Sequence, residues 1–219
     1  MHLCFEQEQR KNGRRIEVRG FNSRTTVADF LEANSHFLGE HPLPCFDCSD
    51  NCCRRGWNIE LDIVFVNRWC LKNRLAVSEF YSRFISLNGF GSPVFKQEVC
   101  SFLDKEGKCQ IYSLRPFICR AYTCFQEGPS YQVLRDIVVR SLGLLLLNKL
   151  WVAADSGNVS LQREQRPIRE NLLYLEEKLV LPREEFLEQK DYSVKISLLF
   201  KIVEPFLDRR RKEVFNLIL

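Results

Sequence analysis

The stretch Cys45-Phe46-Asp47-Cys48-Ser49-Asp50-Asn51-Cys52-Cys53 places four thiols in nine residues. Cys100, Cys109, Cys119 and Cys124 follow, so eight of the ten cysteines lie between positions 45 and 124. Cysteine also serves as a small buried hydrophobe, which accounts for isolated residues such as Cys4 and Cys70. Packing preference does not produce such density. Two cysteines separated by two residues can turn both sulfurs onto one ion, which is why C-x2-C recurs in zinc and iron–sulfur sites. Cys45 and Cys48 have that spacing. Cys52 and Cys53 lie one turn further on, and adjacent side chains usually diverge, so one of the pair is left to serve a second metal, to bridge, or to stay free. The later cysteines are spaced by 8, 9 and 4 residues. They close no site locally, so the fold has to deliver them. Eight thiols suffice for two four-coordinate sites, although the count alone does not establish two.

A disulfide framework is the competing use of clustered cysteines. Met1 to Glu8 has neither the basic start nor the apolar core of a secretory signal. The longest apolar run, Leu142 to Leu147, lies within a stretch carrying Arg140, Asn148 and Lys149. A membrane span needs about 20 mostly apolar residues, so this reads as a buried helix. The expectation is a cytoplasmic chain without membrane association, where reduced thiols ligate metals. The net charge of +4 is mild. The basic runs Arg10 to Arg15 and Arg209 to Lys212 read as solvated surface, and no nucleic-acid partner is expected. A protein partner is expected, of unspecified identity. Seventeen Phe stand against one Met, and composition offers no reason for that.

Along the chain, Lys11-Asn12-Gly13 separates two extended stretches, and Asn-Gly predicts a hairpin turn over residues 1–21. Thr26-Val27-Ala28-Asp29 fits a capping box for a helix with Val27, Phe30, Leu31 and Phe37 on one face. His41-Pro42-Leu43-Pro44 ends it. Trp57 to Leu61 reads as a short strand. Asp62 and Ser78 read as caps of two helices, the first carrying Ile63, Val66, Trp69 and Cys70, the second Phe80, Tyr81, Phe84 and Leu87 and ending at Gly89. Extended pieces around Phe95 to Leu103 and Cys109 to Tyr112 flank the polar turn Asp104-Lys105-Glu106-Gly107. Helices are expected at 131–154, 161–179 and 183–218, with Pro182 in the first turn of the last and Pro205 breaking it. The fold class expected is α+β, mostly helical, with an irregular cysteine-rich metal-binding core held by short helices. The organisation expected is an N-terminal hairpin and helix over 1–40, a cysteine-cluster domain over 41–127, and a C-terminal helical region over 128–219 that covers the cluster.

The cysteine stretch, followed by Cys100-Ser101-Phe102-Leu103, Gly107-Lys108-Cys109-Gln110-Ile111-Tyr112 and Arg115-Pro116-Phe117-Ile118-Cys119-Arg120-Ala121-Tyr122, resembles the YkgJ-like cysteine-cluster family. This is the CxxCxxCC group, described as zinc- or iron-chelating proteins. The resemblance covers roughly residues 43–125. It implies Cys45, Cys48, Cys52, Cys53, Cys100, Cys109 and Cys119 as ligands, with Cys124 just outside the pattern as a further candidate. One departure is that three residues, not two, precede the Cys52-Cys53 pair, and Ser49 stands where glycine is common. Which of the pair ligates therefore stays open.

Arg54, Arg55, Arg115 and Arg120 are placed to offset thiolate charge, and Arg115 and Arg120 are the candidate cofactor-contacting residues because both lie within five positions of Cys119. Tyr112 reads as core or as a neighbour of the metal. His41 is a lesser ligand candidate, and His2 and His36 lesser still. The sulfurs of Cys45, Cys48, Cys109 and Cys119 are expected to converge, with Cys4 and Cys70 elsewhere. Spacing does not separate zinc from iron–sulfur. Zinc closes on four ligands, so seven or eight thiols favour one or two clusters, 4Fe-4S among them, used in electron transfer, cluster handling or redox sensing. The alternatives are a structural zinc module for protein interaction and a cluster-dependent protein-modifying enzyme similar to flagellin lysine-N-methylase. No C-x3-C-x2-C signature or Gly-rich nucleotide loop supports methyl transfer.

Overall fold

The computed structural model describes residues 3–10, 13–40, 53–54, 59–88, 92–96, 99–155 and 187–219. In chain order these form β1 (Cys4–Arg10), β2 (Gly13–Arg19), α1 (Val27–Glu40), α2 (Ile63–Asn73), α3 (Val77–Phe84), β3 (Ile85–Leu87), β4 (Pro93–Phe95), α4 (Phe117–Ala121), β5 (Gln126–Glu127), α5 (Pro129–Asp155), α6 (Ile196–Val203) and α7 (Arg209–Ile218). The fold is mostly helical α+β, as the sequence predicts. The expected helix over 161–179, Pro182 and Gly89 lie outside the described residues. No described helix is long and apolar enough to cross a membrane.

Two units divide the chain. The first takes Met1–Leu43, Ile118–Ser141 and Asp191–Leu219; the second takes Pro44–Phe117 and Leu142–Lys190. In the first, β2 lies between β1, antiparallel, and β5, parallel. The two strands pair from Cys4 with Arg19 out to Arg10 with Gly13, the hairpin that the sequence predicts; Lys11 and Asn12 lie outside the described residues. Phe5, Phe30 and Tyr131 pack their rings 5.0–5.2 Å apart. The capping box forms as expected: Asp29 Oδ2 accepts from Thr26 N–H at 2.7 Å, and Thr26 Oγ1 accepts from Asp29 N–H at 3.2 Å. Val27, Phe30, Leu31 and Phe37 are all buried.

Around α5, Ser130 donates its hydroxyl to Glu17 and accepts from Val18 N–H. Gly128 lies so close to the Glu17 carboxylate that a Cβ would overlap it. Of the expected helix over 183–218, residues 183–186 lie outside the described residues, Leu187 is helical, and the helix is broken from there until Ile196. The reason lies in Tyr192 and Val194, whose carbonyls accept from Ala28 and Val27 N–H and hold this stretch extended against the start of α1. Pro205 interrupts the helix as predicted, within a 3₁₀ turn over Glu204–Phe206, and Asp208 caps α7.

The second unit is built on aromatic rings. Phe65, Trp69, Phe80, Phe84, Phe95 and Phe102 form a chain of contacts with centroids 4.7–6.4 Å apart. Such rings bury large apolar area, and here lies a physical use for the phenylalanine excess. Ile59 to Leu61 run alongside β4 through a Glu60–Val94 bridge. The cap of α3 is Ala76, not Ser78, which sits inside the first turn. The helix stops at Phe84, so Leu87 lies in β3, paired with Pro93.

Candidate metal centre

Cys53, Cys100 and Cys109 are tied together through the backbone of the second unit. Cys100 N–H donates to Cys53 O at 2.9 Å. The chain then reverses: Leu103 N–H donates to Cys100 O at 3.1 Å, Leu103 bridges to Cys109, and Gln110 N–H donates to Phe102 O at 2.9 Å. Asp104 makes the reversal, its carboxylate accepting from Glu106 and Lys108 N–H at 2.9 and 2.8 Å. This is the local hydrogen bonding that makes aspartate a turn former. Phe102 anchors the reversal, its ring 4.7 Å from Trp69 and 5.4 Å from Phe95. The phenylalanine two positions after Cys100 therefore fixes where the thiol-bearing backbone sits on the core.

Gly107 closes the turn with φ of +83°, a conformation L side chains rarely adopt. The Arg54 guanidinium packs against its Cα hydrogens, where a Cβ would collide with it. Arg54 is thus seated beside the Cys100–Cys109 reversal. Gly107→Ala is expected to cost about 1–2 kcal/mol from the positive φ. Gly39→Ala, within α1 and with nothing among the described residues within 4 Å of the added methyl, is expected to stabilise by about 0.5–1 kcal/mol. Urea denaturation of the two variants checks both signs.

Asp62 supplies the positioning that sequence reading found only in part. It is 3% exposed. Its Oδ1 accepts from Phe65 N–H at 2.8 Å, the expected cap of α2. Its Oδ2 accepts from Phe117 N–H at 2.7 Å. One buried carboxylate therefore satisfies the starts of α2 and α4, and Cys119 follows two residues later on α4. In the first unit, Asn34 Nδ2 donates to Arg120 O at 2.8 Å and Tyr131 Oη donates to Ala121 O at 2.6 Å. These bonds hold the end of α4. Burial pushes the Tyr131 hydroxyl above its ordinary value and keeps it a donor.

The remaining candidates fall as follows. Cys45, Cys48, Cys52, Arg55, His2 and His41 lie outside the described residues. Cys53, Cys100, Cys109 and Cys119 are half-buried, and Cys124 is exposed between Thr123 and Phe125. Cys119 and Cys124 belong to the first unit. Among the described residues, no group of three or more His, Cys, Asp or Glu side chains is placed to hold a metal ion. Arg115 lies over the Tyr112 ring at 3.7 Å, and Arg120 over the Tyr192 ring at 5.4 Å. Tyr112 is 65% exposed and is not core. His36 is exposed beside Glu40.

Cys4 is exposed on β1, against the reading of a small buried hydrophobe. Cys70 fits that reading. Burial pushes its thiol up to about 11, with Glu79 adding and Lys149 opposing. The ordinary value is 9.0. The protonated form is therefore favoured by folding: this contribution is complete below about pH 9 and is lost as pH rises through about 11. Cys70→Ala is expected to remove that part of the alkaline fall in stability, read as the difference in urea midpoint between pH 8 and pH 11.

One backbone network in the second unit joins Cys53, Cys100 and Cys109, and Arg54 sits against Gly107 of the same reversal. Residues 44–135 match the model of the CxxCxxCC family, described as a zinc- or iron-chelating domain. No curated protein and no solved structure matches the chain.

Proposed function

We propose that residues 44–135 hold one or two iron–sulfur clusters and act in electron transfer, cluster handling or redox sensing. Cys45, Cys48, Cys52, Cys53, Cys100, Cys109 and Cys119 are the ligands in this reading, with Cys124 as a further candidate. The observation that carries it is the backbone network joining Cys53, Cys100 and Cys109, which draws cysteines distant in sequence to one locality. The donor chemistry fits: half-buried thiols are accessible to iron and sulfide, whereas the high value of Cys70 suits a packing role. Seven or eight thiols exceed the four that close one zinc site. A bound cluster supplies reversible one-electron chemistry, its potential tuned by nearby charge and hydrogen bonds. Arg54, beside Gly107, and Arg115 and Arg120, each over a tyrosine ring, supply positive charge near the motif cysteines in this reading.

The test is metal and sulfide analysis with an absorption spectrum on anaerobically purified protein. Iron with inorganic sulfide, and a broad visible band that bleaches on reduction, supports the proposal. Colourless protein with about two zinc ions, each closed by four ligands, overturns it in favour of a structural zinc module.

A further inference from the structure

Within the first unit a cleft of about 370 Å³ has Arg15, Thr123, Gln126, Glu127, Gln132 and Arg210 in its lining. Arg15 stands on β2 opposite Gln126 of β5. Its Nε is buried and has no hydrogen-bond partner among the described residues. A buried guanidinium donor left unmatched is costly, and proteins rarely leave one without reason. Arg210, exposed at the start of α7, brings a second positive charge to the same cleft.

The acidic wall does not cancel these charges. Glu127 is engaged by Arg135, with Glu127 Oε2 accepting from Arg135 Nη1 at 2.5 Å. Glu17 caps α5 through Ser130, so the arginines, not the helix end, supply the attraction. Thr123 Oγ1 accepts from Phe125 N–H at 3.1 Å, which leaves its own O–H to donate. Gln132 is held at the rim, its Nε2 donating to Glu127 O at 3.2 Å. Planar guanidinium donors arranged with hydroxyl and amide groups suit an oxyanion, which accepts several hydrogen bonds at once.

We propose that this cleft binds the phosphate or carboxylate group of a small molecule, with Arg15 and Arg210 as its principal donors. The site uses none of the seven motif cysteines from Cys45 to Cys119; Cys124, the further ligand candidate, lies in sequence between its lining residues Thr123 and Phe125. The test is calorimetric titration of the full-length protein with inorganic phosphate, and in a separate arm with acetate; the arms distinguish phosphate from carboxylate. Saturable binding in either arm is expected, weakened at least about tenfold in Arg15→Gln and in Arg210→Gln. Lys72→Gln, on α2, should leave it unchanged. Should Arg15→Gln fail to fold, Arg210→Gln carries the test, because its side chain is exposed. No saturable binding of either anion up to millimolar concentration overturns the proposal. So does undiminished affinity in the folded arginine variants.

Discussion

Asp62→Ala is expected to lower stability by about 2–4 kcal/mol and to weaken metal retention at the same time. The side chain is buried and accepts from two backbone N–H groups 52 residues apart, those of Phe65 and Phe117. Loss of a cap costs about 1 kcal/mol, and each buried donor left unmatched costs about 1–3 kcal/mol. Both losses occur together here. The metal effect has a separate cause. Phe117 begins α4, and Cys119 hangs from that helix, so freeing its start loosens the thiol. Asp62→Asn keeps one acceptor oxygen and is expected to fall about midway. Urea denaturation and metal content of the purified variants check this. An unchanged midpoint in Asp62→Ala would show that the second bond contributes nothing.

Cys109→Ser is expected to lower metal affinity by about 10²–10³-fold. A structural thiolate site is worth about 10–16 kcal/mol over its ligands, so one ligand carries a few kcal/mol. Serine keeps the size but offers a poor metal ligand. Cys4→Ser is expected to leave the affinity unchanged, since Cys4 stands exposed on β1, outside the motif. Competition with a chromophoric chelator measures both. Equal affinities in the two variants would remove Cys109 from the ligand set.

What the sequence disclosed was mainly local. The capping box of α1, its buried face, the cap of α2, the length of α5 and the break at Pro205 all depend on residues a few positions apart, where spacing is sufficient. The hairpin came through because Asn12-Gly13 is a strong local turn signal, and the two strands pair out to Arg10 and Gly13. Failures came where distant residues decided. Phe84 to Leu87 is a short apolar run that fits helix or strand, and pairing with Pro93–Phe95 selects strand. The stretch before Ile196 is extended because α1 takes its carbonyls. The second bond of Asp62 spans 55 positions and has no local mark.

The candidate site divides in the same way. The cysteines were legible by density and order. The phenylalanine of Cys100-Ser101-Phe102 acquires a reason only once its ring is found among Trp69, Phe84 and Phe95. Gly107 likewise acquires a reason from its positive φ and the Arg54 side chain against it. The seat of Arg15 in a cleft carried no sequence signal, since it lies within a basic run that reads as plain surface.

The central claim is that cysteine sulfur surrounds a metal in this chain. X-ray absorption at the iron and zinc edges of anaerobically purified protein tests it directly. The expected result is a first shell of about four sulfur scatterers per metal at about 2.3 Å, with a metal–metal scatterer at the iron edge for a cluster. A first shell of oxygen and nitrogen at about 2.0–2.1 Å, or no metal above background at either edge, would contradict the account.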